Sequence, residues 1–186
     1  MTKFLILHGT DATPQDNWFM WLKGRLIGLG HEVWLPQLPH ADKPNSETYN
    51  KYLLTNKKFT IDSETVLIGH SSGAVEILSL LGELPDNIVI KGAVLVSAFK
   101  DDLKWDALEG LFQKSFDFDV IKAHCDQFVF IHSDNDPYAP LVQAEYLSHK
   151  LDSDLVIIEG QGHFNIEASP DYVQFPELLE IIKSIA

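Results

Sequence analysis

The chain has 186 residues, which suits one domain and is too short for two independent cores. Hydrophobic residues make up 45% and charged residues 22%, a balance that excludes an intrinsically disordered chain. The formal net charge is −13 at pH 7, and such an acidic surface repels both nucleic acid phosphates and anionic lipid headgroups. We therefore expect one folded domain that binds neither nucleic acid nor membranes.

Cysteine content and the length of apolar runs indicate the cellular compartment in which the protein is expected. Cys125 is the only cysteine, which excludes an intrachain disulfide and a thiolate zinc site. The apolar run at residues 4–7 is too short for the core of a signal peptide. No other run approaches the ~18 to 20 residues of a membrane span. We predict a buried thiol at Cys125 and a cytoplasmic location.

Six short apolar runs, bounded by Gly, Pro, Asp or Asn, alternate with longer segments of helical periodicity. This alternation predicts βαβ units and a parallel sheet with helices on both faces. The predicted strands are residues 4–7, 32–35, 65–68, 89–96, 128–132 and 155–158. The predicted helices are residues 18–29, 72–81, 141–151 and 175–185. We expect one helix plus irregular chain within residues 98–123, and a surface loop at residues 36–50.

The most informative motif is Gly-His-Ser-Ser-Gly at residues 69–73, a match to G-x-S-x-G. It lies between a predicted strand and a predicted helix, the context in which a sharp turn exposes the serine hydroxyl. Ser71 is therefore the candidate nucleophile. The backbone N–H of Ser72, at the start of the helix, would point toward a developing oxyanion. The alternative interpretation is a serine that caps a helix in a glycine-flanked turn.

A serine nucleophile needs a base, and the base needs an orienting acid. Asp134 and Asp136 follow the fifth predicted strand, and His163 follows the sixth in a glycine-rich segment. Carboxyl ends of parallel strands meet at one edge of the sheet, where open α/β sheets bind ligands. We predict His163 as the base and Asp136 as the acid, with Asp134 as the alternative acid.

Residues after the first and fourth strands complete the candidate site. The backbone N–H of Thr10 is the predicted second oxyanion donor, whereas His8 and His70 are predicted to be structural. Phe99 and Trp105 follow the fourth strand and are candidates to line an acyl pocket. Their alternative role is packing of helix faces against the sheet.

These motifs in this order resemble the small serine hydrolases of the α/β-hydrolase superfamily, the group of retinoblastoma-binding protein 9 and its bacterial relatives. The resemblance covers nearly the whole chain and rests on residues 8–9, 17–22, 69–74, 133–138 and 160–164. It implies a single domain over residues 1–186 with a compact three-layer α/β/α sandwich and no large lid. It also implies a mostly parallel sheet of about six strands in the order 2-1-3-4-5-6. The implied catalytic triad is Ser71, Asp136 and His163.

The predicted function is hydrolysis of small carboxylic esters, or of related thioesters and amides, through an acyl-enzyme. The predicted partner is a small-molecule acyl substrate, and no cofactor or metal is expected, since H-E-x-x-H and phosphate-binding loops are absent from the sequence. Two alternatives stay open. One is a protein-binding module with a vestigial triad, and the other is an acyltransferase or lyase on the same scaffold.

Overall fold

The computed structural model describes residues 1–185, in which six strands form one parallel sheet. The strands are β1 (Lys3–Leu7), β2 (Glu32–Trp34), β3 (Thr65–His70), β4 (Gly92–Val96), β5 (Phe128–His132) and β6 (Asp154–Ile157). Their order across the sheet is β2-β1-β3-β4-β5-β6, and every neighbouring pair is parallel. The predicted fold class and strand order are confirmed.

Helices cover both faces of the sheet. They are α1 (Phe19–Gly28), α2 (Ser46–Leu54), α3 (Ser72–Leu81), α4 (Phe118–Ala123), α5 (Leu141–Lys150) and α6 (Pro176–Ile185), with 3-10 helices at Asp106–Leu111 and Pro170–Val173. Alternate side chains of β1 enter different cores, because successive strand residues point to opposite faces. Phe4 and Ile6 pack with α1 and α6, whereas Leu5 and Leu7 pack with α2, α3, α4 and α5. The result is the three-layer sandwich expected for apolar parallel strands.

One predicted loop is partly wrong, because residues 36–50 contain the start of α2. The Asn45 side chain accepts a hydrogen bond from the Thr48 backbone N–H at 2.9 Å, which caps the helix. Tyr49 is then buried against the core. The three prolines of this segment favour a loop, whereas the Asn45 cap and the buried face of the helix favour α2 from Ser46 onward.

The segment after β4 also differs from the prediction. It contains both the 3-10 helix Asp106–Leu111 and the short helix α4, rather than one helix. Close approach explains part of the irregular path, since a Cβ on Gly110 would lie 2.5 Å from the Pro44 carbonyl oxygen. The preceding strand begins at Gly92 rather than at residue 89, and Ile90 forms only an isolated bridge with Cys125.

Two further predictions concern the state of the cysteine and the location of the protein, and the structure tests only the first. The Cys125 thiol is buried, as predicted, and burial raises its pKa to about 12, which keeps it protonated at neutral pH. Within residues 1–185, each helix is too short or too polar to cross a membrane. The cytoplasmic location stays a prediction.

Helix α3 buries a carboxyl group that makes no hydrogen bond of ordinary geometry among residues 1–185, although the nearby Ser46 side chain opposes part of the effect of burial on its pKa. Glu76 is 0% exposed, and neither of its carboxyl oxygens makes a hydrogen bond. Burial raises the pKa of Glu76 well above the ordinary value of 4.5, so the folded chain retains a proton that the unfolded chain releases. This group therefore makes the folded state less stable as pH rises above the ordinary glutamate pKa.

We expect Glu76→Gln to remove this contribution, because glutamine has nearly the same shape and does not ionise. The free energy of unfolding of the wild type should fall, relative to the variant, by up to about 1.4 kcal/mol per pH unit above pH ~4.5. Urea unfolding at pH 4.5, 6 and 7.5 measures the difference. Equal pH dependence of the two proteins would show that Glu76 ionises in the folded state as it does in the unfolded state.

Candidate active site

Ser71 occupies a strained turn between β3 and α3. Its backbone has φ 56° and ψ −124°, a region that residues other than glycine rarely adopt and that costs about 1–3 kcal/mol. The Ser71 backbone N–H donates to the Val96 carbonyl oxygen at 2.9 Å, which ties the turn to the end of β4. The turn places Ser71 at the carboxyl edge of the sheet, as the motif predicts.

Close packing of the backbone accounts for both glycines of the motif. A Cβ on Gly69 would lie 2.5 Å from the Cα of Ala74, within the turn itself. A Cβ on Gly73 would lie 2.5 Å from the carbonyl oxygens of Leu7 and His8, where β1 ends. Real Cβ atoms do not approach other atoms so closely, so the turn excludes side chains at these positions.

The structure brings Asp136 and His163 into contact at the same edge. His163 Nδ1 lies 2.8 Å from Asp136 Oδ2 and 3.0 Å from Oδ1. Oδ2 also accepts from the Ser97 hydroxyl at 2.8 Å, and Oδ1 accepts from the backbone N–H groups of Tyr138 and Ala139 at 3.0 Å. Burial alone would raise the pKa of Asp136, but His163 and these backbone donors outweigh it and hold the pKa below its ordinary value. The carboxylate is thus charged and fully partnered.

The alternative acid, Asp134, has another partner. Its carboxylate accepts a hydrogen bond from the Gly160 backbone N–H at 2.7 Å. Its neighbours hold the same loop, because Ser133 Oγ accepts from Gln161 N at 2.8 Å and Asn135 Oδ1 accepts from Gly162 N at 2.7 Å. The side chains of residues 133–135 therefore support the segment before His163, and Asp136 is the carboxylate that reaches its ring.

Ser71 and His163 share the sheet edge without a hydrogen bond between their side chains. The His163 ring contacts Asp136, and it lies 5.0 Å from the ring of Tyr138 and 4.9 Å from the ring of His70 between centroids. Hydrogen bonds between a nucleophile and its base are often long in unliganded enzymes and shorten when substrate binds.

Thr10 lies beside the start of α3, where the predicted oxyanion donors meet. Its hydroxyl donates to Ser72 Oγ at 2.9 Å, which holds the loop after β1 against the turn. The backbone N–H groups of Thr10 and Ser72 donate to no acceptor in the described part of the chain. Both N–H groups are therefore available as donors near Ser71, and they stay the predicted oxyanion donors.

His8 is fully buried and holds the neighbouring loop. Its Nδ1 lies 3.0 Å from the Gly9 carbonyl oxygen and Nε2 accepts from the Leu38 backbone N–H at 3.0 Å. Burial lowers the pKa of His8, so the ring is neutral, with the proton on Nδ1. These contacts support the structural role predicted for it.

The two predicted pocket aromatics have different environments. Phe99 is 1% exposed and packs in an apolar cluster with Val75, Leu108 and Leu111. Trp105 is 51% exposed, and its ring lies 6.0 Å from that of Tyr138, which in turn contacts His163. Trp105 is thus the aromatic that solvent and a ligand can reach.

Sequence reasoning missed two residues next to the Asp–His pair. Ser97 follows β4 with φ 52° and donates to Asp136. The Tyr138 hydroxyl donates to Glu167 Oε2 at 2.7 Å, which joins the loops that carry Asp136 and His163. The sequence offers one weak signal for each residue. Ser97 lies at the end of a strand, and Tyr138 lies two residues after Asp136.

Other candidate binding features lie elsewhere or fall short of a site. A cavity of about 580 Å³ lies between α2, α3 and α4, and its lining includes Asn50, Leu78 and Phe116 but none of Ser71, Asp136 and His163. Among residues 1–185, no group of three or more His, Cys, Asp or Glu side chains is arranged to hold a metal ion.

The parallel sheet, the strained serine turn and the strand-end Asp–His pair are those of the α/β-hydrolase fold. A family model described as serine hydrolase matches residues 4–184, and the chain belongs to this family.

Similar proteins from two organisms cover most of the chain. YdeN of Bacillus subtilis (strain 168) is 31% identical over 166 residues, covering 88% of this chain and 87% of YdeN. Serine hydrolase RBBP9 of Rattus norvegicus is 24% identical over 189 residues, covering 99% of this chain and 95% of RBBP9. These similarities confirm the family resemblance found in the sequence.

Solved structures show the same fold. The crystal structure of the B. subtilis ydeN gene product matches with a TM-score of 0.92 at 27% identity, covering 100% of this chain and 98% of that one. Est1E of Butyrivibrio proteoclasticus matches with a TM-score of 0.70 at 16% identity, covering 98% and 86% of the two chains. The second match is evidence for the fold alone.

Proposed function

We propose that this protein hydrolyses small carboxylic esters through an acyl-enzyme formed on Ser71. The observation that carries the proposal is the buried Asp136–His163 contact of 2.8 Å at the sheet edge where the strained turn exposes Ser71. Membership of the serine hydrolase family supports it. Thioesters and activated amides are related substrates of the same chemistry.

The proposed roles follow from the hydrogen bonds. His163 Nδ1–H donates to the Asp136 carboxylate, which leaves Nε2 free to accept the proton of Ser71 Oγ. Ser71 Oγ then bonds to the ester carbonyl carbon, and the negative charge moves to the carbonyl oxygen. The N–H groups of Ser72 and Thr10 stabilise that oxyanion. The Asp136 carboxylate stabilises the imidazolium that forms.

Collapse of the intermediate breaks the ester C–O bond, and His163 donates its proton to the leaving alkoxide. In the second half of the reaction, water loses a proton to His163 and attacks the acyl carbon. The bond between Ser71 Oγ and the acyl carbon then breaks, and His163 returns the proton to Oγ, which releases the carboxylic acid and restores Ser71. The nearby Tyr138 ring lies edge-on to His163 and limits the positions the imidazole can adopt.

Labelling with a fluorophosphonate probe tests the proposal, because such probes react with activated serines. We expect the probe to label the purified protein, with the adduct on the peptide that contains Ser71, and we expect turnover of short-chain nitrophenyl esters. A folded protein that neither reacts with the probe nor hydrolyses these esters would contradict the proposal. Product analysis distinguishes the transfer of the acyl group to water from transfer to another acceptor.

We expect Trp105→Ala to raise KM for a nitrophenyl ester by about 3- to 10-fold while kcat changes little. The exposed indole lies near Tyr138 and offers apolar contact area, and its loss removes binding without disturbing the Asp136–His163 contact. Steady-state kinetics with acetate and butyrate esters measure the effect, with Trp105→Phe as the conservative control. Unchanged KM for both esters would exclude Trp105 from the binding surface.

A further inference from the structure

The segment that carries His163 is attached to the rest of the fold by two buried ring N–H groups. His70 Nε2 lies 2.7 Å from the His163 carbonyl oxygen, and Trp18 Nε1–H donates to the Phe164 carbonyl oxygen at 3.0 Å. The two donors come from different places, the strand end before Ser71 and the residue before α1. The carbonyl groups of His163 and of the next residue are therefore both held by buried ring nitrogens.

The tautomer of His70 follows from its contacts. A carbonyl oxygen only accepts hydrogen bonds, so Nε2 of His70 must carry the proton. Its Nδ1 has no partner within residues 1–185 and is the unprotonated nitrogen. Burial, with a smaller effect of His163, lowers the pKa of His70 to about 3, which keeps the ring neutral and its single donor in place at neutral pH.

The backbone around His163 needs such support. Gly162 has φ 59° and Phe164 has φ 51°, so left-handed residues lie on both sides of the base. A non-glycine residue in this region is strained and persists only where surrounding contacts hold it. Before His163, the side chains of residues 133–135 hold the backbone N–H groups. His70 holds the carbonyl group of His163 itself, and Trp18 holds that of Phe164.

His70 also connects the base to the nucleophile directly. It immediately precedes Ser71, and its ring packs against those of His163, Trp18 and Phe19 at 4.9 to 5.9 Å between centroids. A displacement of the His163 backbone would therefore change the separation of Ser71 from its base. We infer that His70, assisted by Trp18, is a positioning residue that sets the placement of His163 relative to Ser71. This inference rests on the proposed function.

We expect His70→Phe, which keeps a ring but loses the donor, to lower kcat for a nitrophenyl ester by about 10- to 100-fold with KM within about 3-fold. Misplacement of a reacting group by about 1 Å costs this much. His70→Gln restores an N–H donor and should recover most of the lost kcat. Trp18→Phe should also lower kcat. If His70→Phe does not fold, this variant tests whether the donors to the His163 segment position the base.

His124→Phe is the matched control. His124 is also buried, and its Nδ1 lies 2.6 Å from the Ile88 carbonyl oxygen, away from the site. This variant should unfold at lower temperature and retain the wild-type kcat. Equal losses of kcat in His70→Phe and His124→Phe, or wild-type kcat in both His70→Phe and Trp18→Phe, would overturn the inference.

Proton NMR gives a readout that does not require turnover. The Nδ1–H of His163, hydrogen-bonded to Asp136, should give a downfield resonance in wild type and in His70→Gln that shifts or broadens in His70→Phe. An unchanged resonance in His70→Phe would overturn the positioning role. Absence of ester hydrolysis by wild type would overturn the proposed function instead, while the NMR comparison still measures the effect of His70 on His163.

Discussion

Replacement of Ser71 with alanine is expected to lower kcat/KM for a short-chain nitrophenyl ester by about 100,000-fold or more and to abolish fluorophosphonate labelling. The substitution removes only the hydroxyl group, and without this group no acyl-enzyme forms. Alanine keeps the Cβ and therefore fits the same strained backbone, with φ 56° at this position. Thermal unfolding monitored by circular dichroism should consequently be close to that of wild type.

Ser184→Ala is a suitable control for this experiment. Ser184 lies on α6, where its hydroxyl donates to the Ile181 carbonyl oxygen. We expect full labelling and wild-type turnover from this variant. Residual activity of Ser71→Ala above about a tenth of the wild-type rate would rule out Ser71 as the nucleophile, since no other group in the mechanism can form the covalent intermediate.

The second large effect is expected at Asp136 rather than at Asp134. Asp136→Asn should lower kcat by about 10,000-fold, because an amide neither stabilises the imidazolium nor keeps His163 Nδ1 as the protonated nitrogen. Asp134→Asn should change kcat by no more than about 3-fold. An asparagine oxygen at position 134 still accepts the Gly160 backbone N–H that the carboxylate binds at 2.7 Å.

The two asparagine variants change the same chemical group two residues apart, so each controls for the other. Steady-state kinetics of both proteins, together with their unfolding temperatures, separate loss of catalysis from loss of fold. Similar kcat values for the two variants would contradict the assignment of Asp136 as the acid. A larger loss in Asp134→Asn would reverse it.

Sequence patterns were sufficient for much of the architecture. The parallel sheet follows from apolar runs that lack polar alternation, and the turn that carries Ser71 follows from the G-x-S-x-G motif between a strand and a helix. Predictions were less accurate where local signals competed. The start of α2 was missed because prolines precede its Asn45 cap, and the path of residues 98–123 depends on contacts with Pro44 and Asn45 that are remote in sequence.

For the candidate site, residue types, chain order and the shared sheet edge could all be predicted from local patterns. Ser71 and His163 could be selected because each follows a strand in a glycine-rich context. Local sequence does not distinguish Asp136 from Asp134 as the predicted acid, whereas in the folded chain one carboxylate contacts His163 and the other accepts from Gly160. The contacts of Ser97 with Asp136 and of His70 with His163 are likewise tertiary. They join loops from different strands, and the geometry of such contacts depends on how those loops pack against each other rather than on any local pattern.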